Sequence, residues 1–364
     1  MRLDGQDPSA LEQAARTLAD GGLVAFPTET VYGLGADGAS DAAVAGIFAA
    51  KGRPGDHPLI LHVADAAGVD RFAHSVPDWA RSLMQAFWPG PLTLILPRRE
   101  GVATAAAGGQ ASIGLRCPAH PVALALLRAC ASLDPAVHAI AGPSANRFGK
   151  VSPTTAAHVQ AEFGADLMVL DGGPCAVGIE STIVDATRGA PVLLRPGVLT
   201  PAQLQAACGQ KVWSSTEWAA LTDAAGRRGD APRASGTLES HYAPNARVRL
   251  MDATQLQTGL DLLGPEASRM AVYARSPLRV ASRHVLQRTM PADAAQAAED
   301  LREKVRGYGL GAREVFNLRE GTGAVEACEL GHDAAGVVDF DRDLHGWLRW
   351  CSRCSRASRI PSGS

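Results

Sequence analysis

Apolar side chains recur with helical spacing at Leu11, Ala14, Ala15 and Leu18, behind Ser9 as the expected cap and ahead of Gly21-Gly22. The pattern therefore predicts a helix over 9–20 and then a short buried strand, Leu23-Val24-Ala25-Phe26, closed by Pro27. A second helix is expected from a Ser40 cap, with Val44, Ile47 and Phe48 on one face, ending at Lys51-Gly52, where glycine suits the left-handed position beyond a helix end. Strands are predicted at 58–63, 92–96, 112–116, 137–141, 167–170, 181–185 and 192–194. Helices are predicted at 77–87 and 121–131, with a further helix opened by Ser152-Pro153-Thr154. Strands and helices interleave, so the first 205 residues or so read as an α/β domain with a mixed sheet.

The periodicity fades over 214–240, which is rich in Ser, Gly, Arg and Asp and reads as a linker. A second α/β pattern follows, with strands at 248–250 and 270–273 and helices near 254–263 and 292–306. The expected organisation is a first α/β domain over 1–210, a linker over 211–245, a small α/β domain over 246–345 and a disordered tail over 346–364.

Composition narrows the possible functions. The 364 residues carry a net charge of −2, so the whole chain is not a basic nucleic-acid binder. No apolar run approaches membrane-spanning length, and Met1 to Gln6 lack the apolar core of a signal peptide; a cytoplasmic protein is expected. The seven scattered cysteines argue against a disulfide framework, and Cys351-Ser-Arg-Cys354, without a second pair, is weak evidence for a metal site.

The candidate chemistry lies at predicted strand ends. Lys51-Gly52-Arg53 reads equally as cations complementing a helix C-terminus and as a rigid phosphate clamp, since Gly52 and Pro54 restrain the backbone. There is no P-loop and no dinucleotide glycine fingerprint after a strand. Thr28, Glu29 and Thr30 follow the first strand as turn residues or as part of a small-substrate pocket. His57 and His62, five apart, face opposite ways on an extended segment and are not expected to share a metal. Ser112, Gly114 and Arg116 share one strand face, either solvated or a binding floor on which Arg116 pairs a carboxylate. Ser144 and Asn146, two apart, point the same way, and Ser152 is expected at an anion-friendly helix start. Glu180-Ser181-Thr182 and Arg195-Pro196-Gly197 add two more polar strand ends. No G-x-S-x-G elbow occurs, so chemistry is expected from positioning and charge neutralisation.

Six segments in order resemble the YrdC-like (TsaC-type) L-threonylcarbamoyladenylate synthase family in its longer two-domain form: PTETVYGLGAD at 27–37, AKGRPGDHPL at 50–59, WPGPLTLILP at 88–97, GPSANRFGKVSPT at 142–154, DGGPCAVGIESTIVD at 171–185 and LLRPG at 193–197. The resemblance implies a YrdC-like twisted mixed sheet with flanking helices and a small Rossmann-like C-terminal domain. It implies that ATP, L-threonine and bicarbonate give threonylcarbamoyl-AMP and pyrophosphate, with Mg²⁺ accompanying ATP and no metal held by protein side chains alone. A downstream threonylcarbamoyl transferase complex acting on tRNA is the implied partner. The family's Lys-x-Arg and Ser-x-Asn signature falls on Lys51, Arg53, Ser144 and Asn146, the implied catalytic set. ATP is assigned by resemblance to Arg53, His57, Ser112, Ser144, Asn146, Ser152, Arg195 and Tyr242, and threonine to Thr30, His62, Arg116 and Ser181. His241-Tyr242-Ala243-Pro244 resembles the linker segment that reaches back over the nucleotide.

The resemblance stops near residue 302, beyond which nine arginines, Trp347, Trp350 and no clear closing strand suggest a shifted frame or a degenerate end. An RNA-binding or ribosome-associated module is the competing class, and the specific small-ligand residues disfavour it. Carbamoyl transfer in metallocentre maturation would require zinc-finger-like cysteine pairs, of which only the single Cys351–Cys354 spacing occurs, and an acylphosphatase-like region, which the chain does not show.

Overall fold

The protein is described here by a computed structural model that covers residues 1–224, 232–234, 247–266, 270–274, 276–290 and 314–319. The chain divides into two compact units, Met1–Phe148 with Ser152–Thr237, and Gly149–Val151 with Leu238–Ser364.

The first unit opens with β1 (Arg2–Asp4), α1 (Pro8–Ala19), β2 (Val24–Phe26), β3 (Gly33–Asp37), α2 (Asp41–Lys51) and β4 (Ile60–His62). It continues with α3 (Asp78–Phe87), β5 (Leu92–Pro97), β6 (Ser112–Arg116), α4 (Pro121–Ala131), β7 (Ile140–Ala141) and α5 (Ala156–Phe163). It closes with β8 (Met168–Asp171), β9 (Thr182–Asp185), β10 (Val192–Arg195), α6 (Pro201–Cys208), β11 (Trp213–Ser214) and α7 (Ser215–Ala224). Among the described residues these strands form one eleven-stranded sheet in the order β1-β8-β2-β3-β7-β4-β6-β5-β9-β10-β11. It is mixed: β4 runs parallel to β6 and β5 parallel to β9, whereas β5 and β6 are antiparallel.

Local chemistry accounts for the helix limits. Ser40 Oγ accepts from the Ala43 amide at 3.2 Å to start α2, and Gly52 closes it with φ 64°. α1 is capped by Asp7 rather than Ser9, with Pro8 in the first turn. Thr155, not Ser152, caps α5, because the chain stays extended through Pro153. β3 follows Thr28-Glu29-Thr30 and is not among the predicted strands. Its glycines are there for space: a Cβ on Gly33 would lie 3.0 Å from Phe26 Cζ, and one on Gly35 2.9 Å from Ile140 Cγ2. Two elements lie inside the predicted linker: β11 pairs in parallel with β10, and α7 follows it directly.

The side-chain alternation of the strands locates the functional face. Along β2, Val24 and Phe26 enter a core with α1 and α4, and Ala25 enters the larger core with α2, α3, α5 and α6. Both faces of that half of the sheet are covered. Leu61, Leu94, Ile113, Leu115 and Val184 turn to the larger core. Their neighbours Ile60, Ile95 and Ile183 turn the other way and cluster with Ala234 and the partly buried Leu194. Among the described residues no helix contributes to that small cluster. The face of β4, β6, β5 and β9 away from the larger core is thus the floor on which His62, Thr93, Ser112, Gly114 and Arg116 stand.

The second unit holds β12 (Arg247–Asp252), α8 (Ala253–Leu263), β13 (Met270–Ala274), β14 (Val285–Thr289) and β15 (Glu314–Arg319). Its sheet runs β12-β15-β13-β14 with every pair parallel, around a core of Leu256, Leu260, Val272, Ala274 and Val285. β15 corrects the expectation that no strand follows residue 302: residues 314–319 lie between β12 and β13. The helix expected at 292–306, Cys351, Cys354 and the tail lie outside the described residues.

Candidate active site

Three groups of buried side chains gather at the strand ends around this floor. In the first, β4 and β6 pair with His62 opposite Arg116. Arg116 Nη1 donates to Thr30 Oγ1 at 2.9 Å, its Nη2 to Glu29 Oε1 at 2.5 Å and its Nε to the Gly90 carbonyl at 3.3 Å. Glu29 also accepts from the Ala119 amide at 3.0 Å, so its carboxylate is held from two elements. Arg116 is 4% exposed, which rules out the solvated-face reading of β6. His62 is fully enclosed: Phe26 meets it edge-on at 5.6 Å, and a Cβ on Gly142 would come within 2.8 Å of Nδ1. Burial, with the Arg116 charge second, lowers its pKa to about 3, so its imidazole is neutral; Nδ1 has no protein partner.

The second group is built on Lys51. It ends α2 and turns inward, only 3% exposed, where Nζ donates to the carbonyl oxygens of Ser144 at 2.6 Å and of Asn146. The helix-end reading and the clamp reading of Lys51 thus both hold in part. Its third proton has no acceptor among the described residues. Ser144 bridges to Gly33, and Asn146 Nδ2 donates to the Arg147 carbonyl at 2.8 Å. Burial, then the neighbouring Arg53, pushes the Lys51 pKa well down.

The third group joins Arg53, Arg195 and Ser181. Arg53 Nη2 donates to the Pro58 carbonyl at 2.9 Å, and burial followed by the charge of Arg195 lowers its pKa to about 10. Arg195 donates from Nε to the Ser181 carbonyl and from Nη2 to Ser181 Oγ, both at 3.0 Å. Ser181 Oγ lies 2.7 Å from Thr93 Oγ1. Ser152 Oγ donates to Glu180 Oε1 in a very short buried contact; Glu180 lies just before β9, and Ser152 lies in the extended segment ahead of α5, short of its Thr155 cap.

His57 lies outside the strand, half-buried against Phe148 at 5.4 Å, with its pKa lowered by burial and by Arg53. Ser112 is buried at the start of β6. Tyr242 lies outside the described residues. Glu29 and Glu180 stand at the strand ends singled out from the sequence, without an assigned partner, and Thr93 is not among the residues read from it. Thr93 carries no local signal, because its partner is 88 residues away. Among the described residues no group of three or more His, Cys, Asp or Glu side chains could hold a metal ion. No described helix is long and apolar enough to cross a membrane.

Buried cations and ordered hydroxyls at the open ends of a mixed sheet define a class of protein that takes small anionic ligands. Residues 16–197 match the Sua5/YciO/YrdC family model, described as telomere recombination, and residues 199–309 match the threonylcarbamoyl-AMP synthase C-terminal domain. The chain belongs to this family, in its two-domain form. A threonylcarbamoyl-AMP synthase of Pyrococcus abyssi is 42% identical over 240 residues, 66% of this chain and 67% of that protein. A Bacillus subtilis protein of the same name is 40% identical over 254 residues, 69% of each chain. The crystal structure of P. abyssi Sua5 complexed with L-threonine superposes with a TM-score of 0.75 at 32% identity, covering 88% of this chain and 92% of that one.

Proposed function

We propose that this chain is a threonylcarbamoyl-AMP synthase, a nucleotidyltransferase that makes threonylcarbamoyl-AMP and pyrophosphate from ATP, L-threonine and bicarbonate for tRNA modification. The observation that carries the reading is a run of buried polar side chains in which Arg195 joins the two assigned sites: its charge acts on Arg53, which neighbours Lys51, and its guanidinium donates to Ser181, which is assigned to threonine with Thr30, His62 and Arg116. A relative of similar fold is crystallised with L-threonine, which fits the second of these.

In this reading Arg116 meets the threonine carboxylate with the N–H groups left after Glu29, Thr30 and Gly90 are served. The threonine amine must be uncharged to form a carbamate. A neutral His62 beside a fixed cation adds no acidic proton and no anion that would hold the amine as ammonium. The carbamate oxygen then forms a bond to the α-phosphorus, and the bond from that phosphorus to the bridging oxygen of pyrophosphate breaks. Charge builds on the departing pyrophosphate, where Lys51 offers its remaining proton and Arg53 its guanidinium. The carbonyls of Ser144 and Asn146 orient Lys51, while His57, Ser112, Ser144, Asn146, Ser152, Arg195 and Tyr242 are assigned to the nucleotide.

The described side chains do not build a resident magnesium site. Mg²⁺ is proposed as an ion carried on the triphosphate oxygens, as is usual for this hard cation. A cytoplasmic setting, and hand-over of the product to a threonylcarbamoyl transferase complex acting on tRNA, belong to the same reading. The RNA-module alternative finds less support, because Lys51, Arg53, Arg116 and Arg195 are buried rather than spread on a surface. Labelled bicarbonate tests the reading: the label should enter an acid-labile adenylate only when threonine and ATP are both present. Label incorporation without threonine, or none in folded protein, would exclude it.

A further inference from the structure

The partners of Thr93 and Ser181 set the polarity of the Ser181 hydroxyl. Each hydroxyl has one proton to give and two lone pairs to fill. Thr93 is completely buried in β5, and its Oγ1 has one partner, Ser181 Oγ at 2.7 Å. A buried hydroxyl proton must reach an acceptor, so Thr93 donates and Ser181 accepts. Ser181 Oγ also accepts from Arg195 Nη2 at 3.0 Å. Both of its lone pairs are then filled, and its own proton has no acceptor among the described residues.

Thr30, across from Ser181 in this reading, is not fixed in the same way. Thr28 Oγ1 donates to the Val31 carbonyl at 2.6 Å and accepts from the amides of Thr30 and Val31, both at 3.2 Å, which fills both of its lone pairs. Thr30 Oγ1 lies 2.9 Å from Thr28 Oγ1 and accepts from Arg116 Nη1 at 2.9 Å, so these contacts do not commit its own proton.

We propose that Thr93 is a positioning residue that forces Ser181 to act as a hydrogen-bond donor to an anionic oxygen of the bound amino acid. This rests on the threonine-pocket reading above. Thr93 does not touch the ligand; it acts through the proton of Ser181. Threonine and valine have nearly the same shape, so Thr93→Val removes the donor with little change in packing. With valine there, one lone pair of Ser181 is left unfilled and nothing on the floor fixes which way its hydroxyl points, so donation to the ligand is no longer enforced.

The test is calorimetric titration of the full chain with L-threonine and, separately, with ATP, for wild type, Thr93→Val, Thr93→Ser, Ser181→Ala and the Thr93→Val/Ser181→Ala double variant. Thr93→Val should weaken L-threonine binding about tenfold and leave ATP binding within about twofold, the scale of one hydrogen bond to a charged group. Thr93→Ser should restore threonine binding, and Thr93→Val should cost nothing further once Ser181 is alanine. Melting temperatures report folding, and Thr93→Ala carries the same expectation if the valine variant does not fold. Threonine binding unchanged in Thr93→Val, or an equal loss in the Ser181→Ala background, overturns the role of Thr93. A folded wild type that binds no threonine overturns the pocket reading itself, and this assignment with it.

Discussion

His62 makes the stability of the first unit depend on acid in a calculable way. Its imidazole is 2% exposed, packed edge-on against Phe26 and next to the Arg116 guanidinium, so a second positive charge there is strongly disfavoured. Its pKa is about 3 in the folded chain against 6.5 for the free side chain. Between those values the unfolded chain holds a proton that the folded chain does not, so stability rises with pH through this window and is lost as pH falls. Each unit of pH below 6.5 should cost about 1.4 kcal/mol, and the whole window about 4–5 kcal/mol. Carboxylates with lowered pKa, such as Asp171, push in the same direction, so the informative quantity is a difference. Urea unfolding of wild type and His62→Gln, monitored by tryptophan fluorescence at pH 4, 5, 6 and 7, isolates it. The stability gap should move in favour of the variant by about 1.4 kcal/mol for each unit from pH 6 to pH 4. Parallel curves would refute the argument that His62 is buried neutral.

Two further substitutions probe the same pocket. Glu29→Gln leaves Arg116 without its buried anion, and should destabilise the chain by about 2–4 kcal/mol in urea unfolding and raise the threonine KM more than it lowers kcat. Gly142→Ala places a methyl 2.8 Å from His62 Nδ1 and 3.0 Å from Phe26 Cζ; threonine binding measured by calorimetry should weaken about tenfold while the ATP Kd stays nearly constant.

How far such features can be read from the chain depends on the range of the interaction that creates them. α2 was legible to its ends because its limits are local: a Ser40 cap and a left-handed Gly52. The alternation in 112–116 was legible too, and its polar residues do line a floor rather than meet solvent. β3 was not, since Gly33 and Gly35 are there to admit Phe26 and Ile140, which only the folded sheet brings near. Ser152 was assigned to a helix start on the strength of Pro153, and the extended chain up to Thr155 moved the cap three residues on. α7 escaped notice because it buries no side chain and so shows no apolar stripe. Among the site residues, the Lys51 and Ser144 segments stood out by resemblance. The facts that Lys51 is held by the backbone of the second segment, that Arg116 is shared with Glu29, and that Thr93 stands behind Ser181 all follow from non-local strand pairing.

In the proposed reaction, buried Lys51 faces the triphosphate while threonine and bicarbonate are consumed together. Pyrophosphate release by wild type and Lys51→Met, each with threonine or bicarbonate omitted in turn, tests it most directly, with circular dichroism to confirm that the variant is folded. Wild type should require both substrates, and Lys51→Met should lose about 10²–10³ in kcat, the scale of removing one preorganised donor from a developing anion. Pyrophosphate release that persists without either substrate, or a folded Lys51→Met with undiminished turnover, would contradict the account.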